Sequence, residues 1–103
     1  MSRREKLEAL LSESPEDTFL RYALALAFAS EGNHDQARLR LEALLEDDSH
    51  YIPAYFQLAQ IHVQLGRPDE ARPVLVRGIE MARRAGDAHA ESEMAGFLEQ
   101  LPE

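Results

Sequence analysis

The sequence predicts an all-α domain: a short solenoid of about six antiparallel stacked helices. A fixed internal period is the first observation behind this. Leu7-Glu8-Ala9-Leu10-Leu11 recurs unchanged as Leu41-Glu42-Ala43-Leu44-Leu45, 34 positions later. The same offset carries Leu24 onto Leu58, Ala25 onto Ala59, Gly32 onto Gly66 and Ala37 onto Ala71. A unit of this size cannot bury its own apolar face, so stacked neighbours must supply the core. The second observation is the placement of capping residues, Gly and Pro, which divides the chain into short helical segments.

The first helix spans about Ser2 to Ser12, with Ser2 and Glu5 at the spacing of a capping box. The second opens at Ser14-Pro15-Glu16-Asp17. Ser14 can cap, Pro15 suits the first helical position, and the acids complement the helix dipole. From Phe19 to Ala29 the chain is apolar almost throughout, which predicts burial on more than one side. Gly32 ends this helix, and Asn33 with Gln36 forms a second capping-box pattern. The third helix covers about His34 to Glu46. A fourth, with Pro53 in its first turn, runs to Leu65 and stops at Gly66. Pro68 opens the fifth, which reaches about Arg84. Pro73 strains that assignment, because a proline removes a backbone bond and its ring crowds the preceding turn. Either the fifth helix starts late, near Asp69, or its first turn is bent. Gly86 breaks it, and Asp87 caps a sixth helix ending near Leu101.

The 103 residues amount to one domain. The chain contains no cysteine. A disulfide framework, a thiolate metal site and a thiol nucleophile are therefore excluded, and a reducing, cytoplasmic setting is expected. The start is basic, but Glu8, Ser12 and Glu13 interrupt any apolar h-region, so no signal peptide is expected. No stretch approaches the roughly 20 apolar residues that span a bilayer. The formal charge is −8, which repels phosphate backbones and argues against nucleic acid as a partner.

The 34-residue, two-helix unit resembles the tetratricopeptide repeat family. In residues 18–51 the matching positions are Leu24, Ala25, Phe28, Gly32, Ala37 and Leu41. In residues 52–85 they are Tyr55, Leu58, Ala59, Gly66, Ala71 and Leu75. Arg21 replaces the early aromatic in the first unit, and His62 replaces the middle aromatic in the second. Gly78 stands where the family places an alanine. The chain thus divides into a half repeat (2–17), two repeats (18–51 and 52–85) and a capping helix (86–103). That cap carries an apolar stripe at Met94, Phe97, Leu98 and Leu101.

The resemblance implies a short right-handed superhelix whose first helix in each unit lines a concave groove. Carried over by position, the groove residues are Phe19, Tyr22, Leu26 and Ala29, then Pro53, Phe56, Gln60 and Val63. The cap adds Ala90, Met94 and Phe97. Tyr22 and Phe56 lie 34 positions apart and are expected side by side. Such a groove is either open to a partner or closed by its own side chains and the cap. Clamping of a terminal carboxylate is not implied, because the corresponding positions hold Tyr22, Leu26, Gln57 and Gln60 and no cation.

A second candidate surface is the Arg-bearing stretch 67–84, with Arg67, Arg72, Arg77, Arg83 and Arg84. Catalytic patterns are lacking. Neither a Gly-x-Ser-x-Gly elbow nor a His-Glu-x-x-His pair occurs. His62 reads as a core ring. His50 and a neighbouring carboxylate supply two metal ligands where a site needs three or four. The expected function is a noncatalytic adaptor, without cofactor or metal, that binds another protein or peptide as a monomer or weak homo-oligomer. The alternative is a structural subunit of a larger assembly, with its groove self-occupied.

Overall fold

The computed structural model describes residues 1–102, which form six α-helices. They are α1 (Arg3–Glu13), α2 (Thr18–Ser30), α3 (His34–Asp47), α4 (Ile52–Gln64), α5 (Pro68–Ala85) and α6 (Ala88–Gln100). Short connections make sequence neighbours pack antiparallel, and each helix does pack against the next. In addition, the backbone of α4 comes close to α2 and α6, whereas the backbones of α1, α3 and α5 stay farther from one another among the described residues. One layer therefore draws together while the other splays. The stack curves with α2, α4 and α6 on its concave side, within 40 × 30 × 20 Å.

Local chemistry accounts for most helix ends. The capping box at Ser2 is complete: the Glu5 N–H donates to the Ser2 hydroxyl at 3.1 Å, and the Ser2 N–H donates to Glu5 at 2.9 Å. At Gly32 and Gly66 the backbone is left-handed (φ 84° and 75°), which costs glycine little because it has no Cβ. Each closes the same Schellman pair. The Asn33 and Arg67 N–H groups donate to the Phe28 and His62 carbonyls at 2.9 and 2.8 Å.

Three local expectations need correction. Ser14 does not open α2. Its N–H donates to the Leu10 and Leu11 carbonyls and closes α1, and the cap of α2 is Asp17, whose carboxylate accepts from the Leu20 N–H at 2.9 Å. Asn33 caps α3 by accepting from the Gln36 N–H, but the return bond is absent, since the Gln36 side chain accepts from Arg40 instead. Finally, α5 starts at Pro68 and continues through Pro73. Pro73 and Asp69 are both exposed, so the backbone bond lost there lies where solvent can replace it.

The core is two clusters that meet at α4. Leu24, Phe28, Ala37, Leu41, Leu44, Leu58 and Ile61 join α2, α3 and α4. Tyr55, Ala59, Ala71, Leu75, Met81, Met94 and Leu101 join α4, α5 and α6. Leu45 and Val74 pack against both. By contrast, α1 buries no residue completely. It is held by half-buried Leu7 and Leu11 and by Arg4. The Arg4 guanidinium lies over the Phe28 ring and bonds Glu31 and Glu8, both at 2.8 Å.

Gly78 marks a close helix contact. A Cβ there would lie 2.7 Å from the Tyr55 Cβ and 2.7 Å from the Met94 Sδ. The alanine that the family places here is replaced by glycine because α5 presses directly on α4 and α6. Above this contact the Tyr55 hydroxyl donates to the Ser49 carbonyl at 2.8 Å and accepts from Arg77 at 3.3 Å. The second repeat is thus fastened to the turn before it.

Candidate functional site

The apolar run of α2 and the aromatic-rich start of α4 reach the concave side because both helices bury their other faces against α3 and α5. Tyr22 on α2 and Phe56 on α4 line one cavity of about 220 Å³. Ile52, Pro53 and Gln57 complete the α4 wall. Asp87, Ala90, Glu93 and Met94 form the α6 side. Tyr22 and Phe56 thus share a cavity, yet each takes another ring as its immediate neighbour. Tyr22 lies 5.3 Å from Tyr51, with the rings tilted, and Phe56 meets Phe97 edge-on at 5.4 Å.

The remaining groove candidates fall in different environments. Phe19 is 63% exposed at the start of α2. Leu26 and Gln60 are half-buried. Ala29 packs against the first core cluster, and Val63, Phe56, Ala90 and Phe97 pack against the second. Met94 is buried at 1% exposure. It forms the floor under the cavity rather than a surface of its own, because it fills the space left by Gly78.

Three members of the cavity region were not legible as such. Tyr51 precedes α4 and enters only through the tertiary pairing with Tyr22. Asp87 reads locally as a helix cap, which it is, since its carboxylate accepts from the Ala90 N–H at 3.1 Å. Glu93 reads as an outward-facing residue of the cap. Only the approach of α6 to α4 places these two carboxylates beside the rings.

The electrostatics of this end are acidic. Burial pushes the Tyr51 phenol up, and the Asp17 and Asp48 carboxylates push it further. Burial also raises Tyr22, with Tyr51 adding to it and the Gln57 side chain offsetting part of the rise. The nearest arginine on α2, Arg21, is tied to Asp47 at 2.9 Å. The cavity lining includes no Lys or Arg.

The Arg-bearing stretch is mostly paired within itself. Arg72 bonds Asp69 at 2.9 Å, Arg84 bonds Glu80 at 3.0 Å, and Arg83 reaches Glu80 and Glu91. Arg67 is 3.9 Å from Glu70. Arg77 has no carboxylate partner among the described residues and donates only to Tyr55.

His62 is 4% exposed, as expected for a core ring. It sits between Glu70 (3.4 Å) and Glu42 (3.9 Å), with Arg38 and Arg67 also near. Burial lowers its pKa and outweighs the two carboxylates, so the ring is neutral at pH 7. Among the described residues no three His, Asp or Glu side chains are placed to hold a metal ion. No described helix is long and apolar enough to cross a membrane.

Comparison with known proteins agrees with this architecture. The sequence model of the tetratricopeptide repeat family matches residues 28–92. A TPR repeat-containing protein of Pseudomonas aeruginosa is 29% identical over 97 residues, spanning 94% of this chain and 92% of that protein. The solution structure of a tetratricopeptide repeat domain protein from Salinibacter ruber is 36% identical. It superposes with a TM-score of 0.78, over 82% of this chain and 85% of that one. A Bordetella parapertussis protein, also solved in solution, is 28% identical and superposes with a TM-score of 0.85, over 97% of this chain and 87% of that one. The helix order, the 34-residue period and these matches together place the chain in the tetratricopeptide repeat family, whose fold is generally a noncatalytic module for protein–protein interaction.

Proposed function

We propose that this chain is a noncatalytic adaptor that holds a peptide or helix of another protein on its concave face, without cofactor or metal. The observation that carries this reading is the aromatic cavity between α2, α4 and α6. Tyr22 and Phe56 line it and remain half-exposed, although each already has a ring beside it. Rigid aromatic rings at the edge of a concavity supply much of the energy of protein recognition. The α6 cap narrows the groove through the Phe56–Phe97 contact but leaves the Tyr22 end accessible. The cysteine-free sequence suits a cytoplasmic setting.

The test is affinity capture from the native cell's lysate with wild type and a Tyr22→Ala/Phe56→Ala variant of normal helicity. A partner held by wild type and lost by the variant supports the groove. Identical captures refute it.

A second reading, self-association or a fixed place in an assembly, is favoured by one observation. Leu10 on α1 and Phe19 on α2 are 50% and 63% exposed. A mass above the monomer that falls on dilution, and that Leu10→Ser/Phe19→Ser abolishes, supports this reading. A concentration-independent monomer removes it.

A further inference from the structure

The cavity between α2, α4 and α6 combines two properties that a purely apolar groove lacks. Its walls are aromatic, from Tyr22 and Phe56, and its α6 side carries two carboxylates, Asp87 and Glu93. Tyr51, whose ring is tilted against that of Tyr22, feels two more, Asp17 and Asp48. No Lys or Arg lines the space, and the nearby Arg21 is already tied to Asp47.

The opposing effect is the pair of helix N-termini at this end. Ile52 and Pro53 open α4, and Asp87 caps α6. Each N-terminus carries a partial charge of about +0.5, so the two sum to about +1. Pro53 has no N–H to offer an anion, and one of the first free N–H groups of α6, that of Ala90, already donates to the Asp87 carboxylate. Against this stand the two full negative charges of the lining. The carboxylates win, and the net −8 of the chain adds to them.

We propose that this cavity takes a cationic side chain, a lysine ammonium or arginine guanidinium, of the peptide lying on the concave face. The proposal rests on the adaptor reading above and specifies its ligand. A cation placed there lies beside the rings of Tyr22 and Phe56, and an aromatic face it meets attracts it through the ring quadrupole. At the same time it meets Glu93, whose only ionic partner among the described residues is the exposed His89 at 3.4 Å. The volume of about 220 Å³ accommodates one long side chain. The partner selected is therefore a basic segment with apolar flanks, the opposite of the carboxylate-ended peptides that a cation-lined groove would take.

The experiment is selection from a random 12-residue peptide display library on the wild-type chain. Selected peptides are then titrated by fluorescence anisotropy at 50 and 300 mM salt. The titrations use wild type, Glu93→Gln, Glu93→Lys and Tyr22→Ala/Phe56→Ala. Asp87 is left in place because it caps α6. The expected result is enrichment of Lys or Arg beside apolar residues, with binding weaker at high salt. Glu93→Lys should weaken these peptides about tenfold, Glu93→Gln by a smaller factor, since a partly exposed charge contact is worth about 1 kcal/mol or less. Peptides that need Tyr22 and Phe56 but carry no excess of Lys or Arg, or that tolerate Glu93→Lys, overturn the cation assignment and leave the groove reading standing. Enrichment of acidic peptides overturns it in the same way. Peptides indifferent to Tyr22→Ala/Phe56→Ala, or no enrichment at all, overturn both.

Discussion

Two glycines lie inside helices, and the structure predicts opposite responses to the same substitution. Gly96 sits in α6 with nothing within 4 Å of an added Cβ. Gly96→Ala therefore keeps only the gain in helix propensity, about 1 kcal/mol at most. Gly78→Ala in α5 has the same propensity gain but sets a methyl 2.7 Å from the Tyr55 Cβ and from the Met94 Sδ. Met94 is an unbranched side chain and can turn aside. The Tyr55 Cβ is fixed to the α4 backbone, so α4 and α5 must move apart. Overpacking of this kind costs about 1–3 kcal/mol. Because the propensity term is common to both variants, the difference between them isolates the packing cost. For a domain of this size about 1 kcal/mol corresponds to 4–8 °C. Gly78→Ala should thus melt on the order of 10 °C below Gly96→Ala by circular dichroism, with Gly96→Ala above wild type. Equal melting temperatures for the two variants would refute the close approach of α5 to α4. A Gly78→Ala chain that melts above wild type would show that the helices have room for the methyl.

Two further predictions concern stability. His62 is held neutral by burial, so the unfolded chain binds more protons once the pH falls below the ordinary histidine value of about 6.5. Stability is fully present above that pH and is lost as pH drops below it. His62→Phe should therefore lose less in melting temperature between pH 7.5 and 5.5 than wild type, whereas parallel losses would exclude His62 as the source. Since α1 buries no residue completely and its backbone lies close to α2 alone, its amides should exchange with solvent fastest of the six helices. Arg4→Ala, which removes the Glu31 and Glu8 bonds and the cover over Phe28, should speed that exchange further. Protection of α1 equal to that of α4 would contradict this.

Most element boundaries could be read from residues near the chain ends they close. Gly32 and Gly66 stop helices because left-handed backbone is cheap only for glycine, and Ser2 with Glu5 satisfies two orphan N–H groups reciprocally. Reading failed where two residues could serve the same end. Ser14 and Asp17 are both competent caps, but the chain turns between them, with the Asp17 N–H donating to the Ser14 carbonyl at 3.0 Å, so α2 starts after Asp17 and Asp17 caps it. Gln36 could have completed a capping box, but Arg40 one turn later offers its side chain a charged donor. Pro73 pointed to either a late start or a bent first turn for α5. It is tolerated because the missing bond falls on an exposed face, and solvent exposure is not a local property of the sequence.

The groove followed a similar division. Repetition at 34 residues placed Tyr22 and Phe56 on equivalent helix faces, and both do line one cavity. Their immediate partners, Tyr51 from the turn before α4 and Phe97 from the cap, are set by how the helices pack and not by the 34-residue equivalence of Tyr22 with Phe56. Met94, on the apolar stripe of the cap and expected on the groove, lines the same cavity as a buried residue.

The sequence by itself determined the helical class, the period and the order in which helices alternate between layers. Those properties rest on short-range chemistry: a cap, a glycine turn, or an apolar stripe at helical spacing. The tertiary structure alone decided how deeply each groove side chain is sunk, and that Asp87 and Glu93 stand beside aromatic rings. These depend on how closely α2, α4 and α6 approach. That separation is set by packing between residues far apart in the chain, such as Gly78 against Tyr55 and Met94.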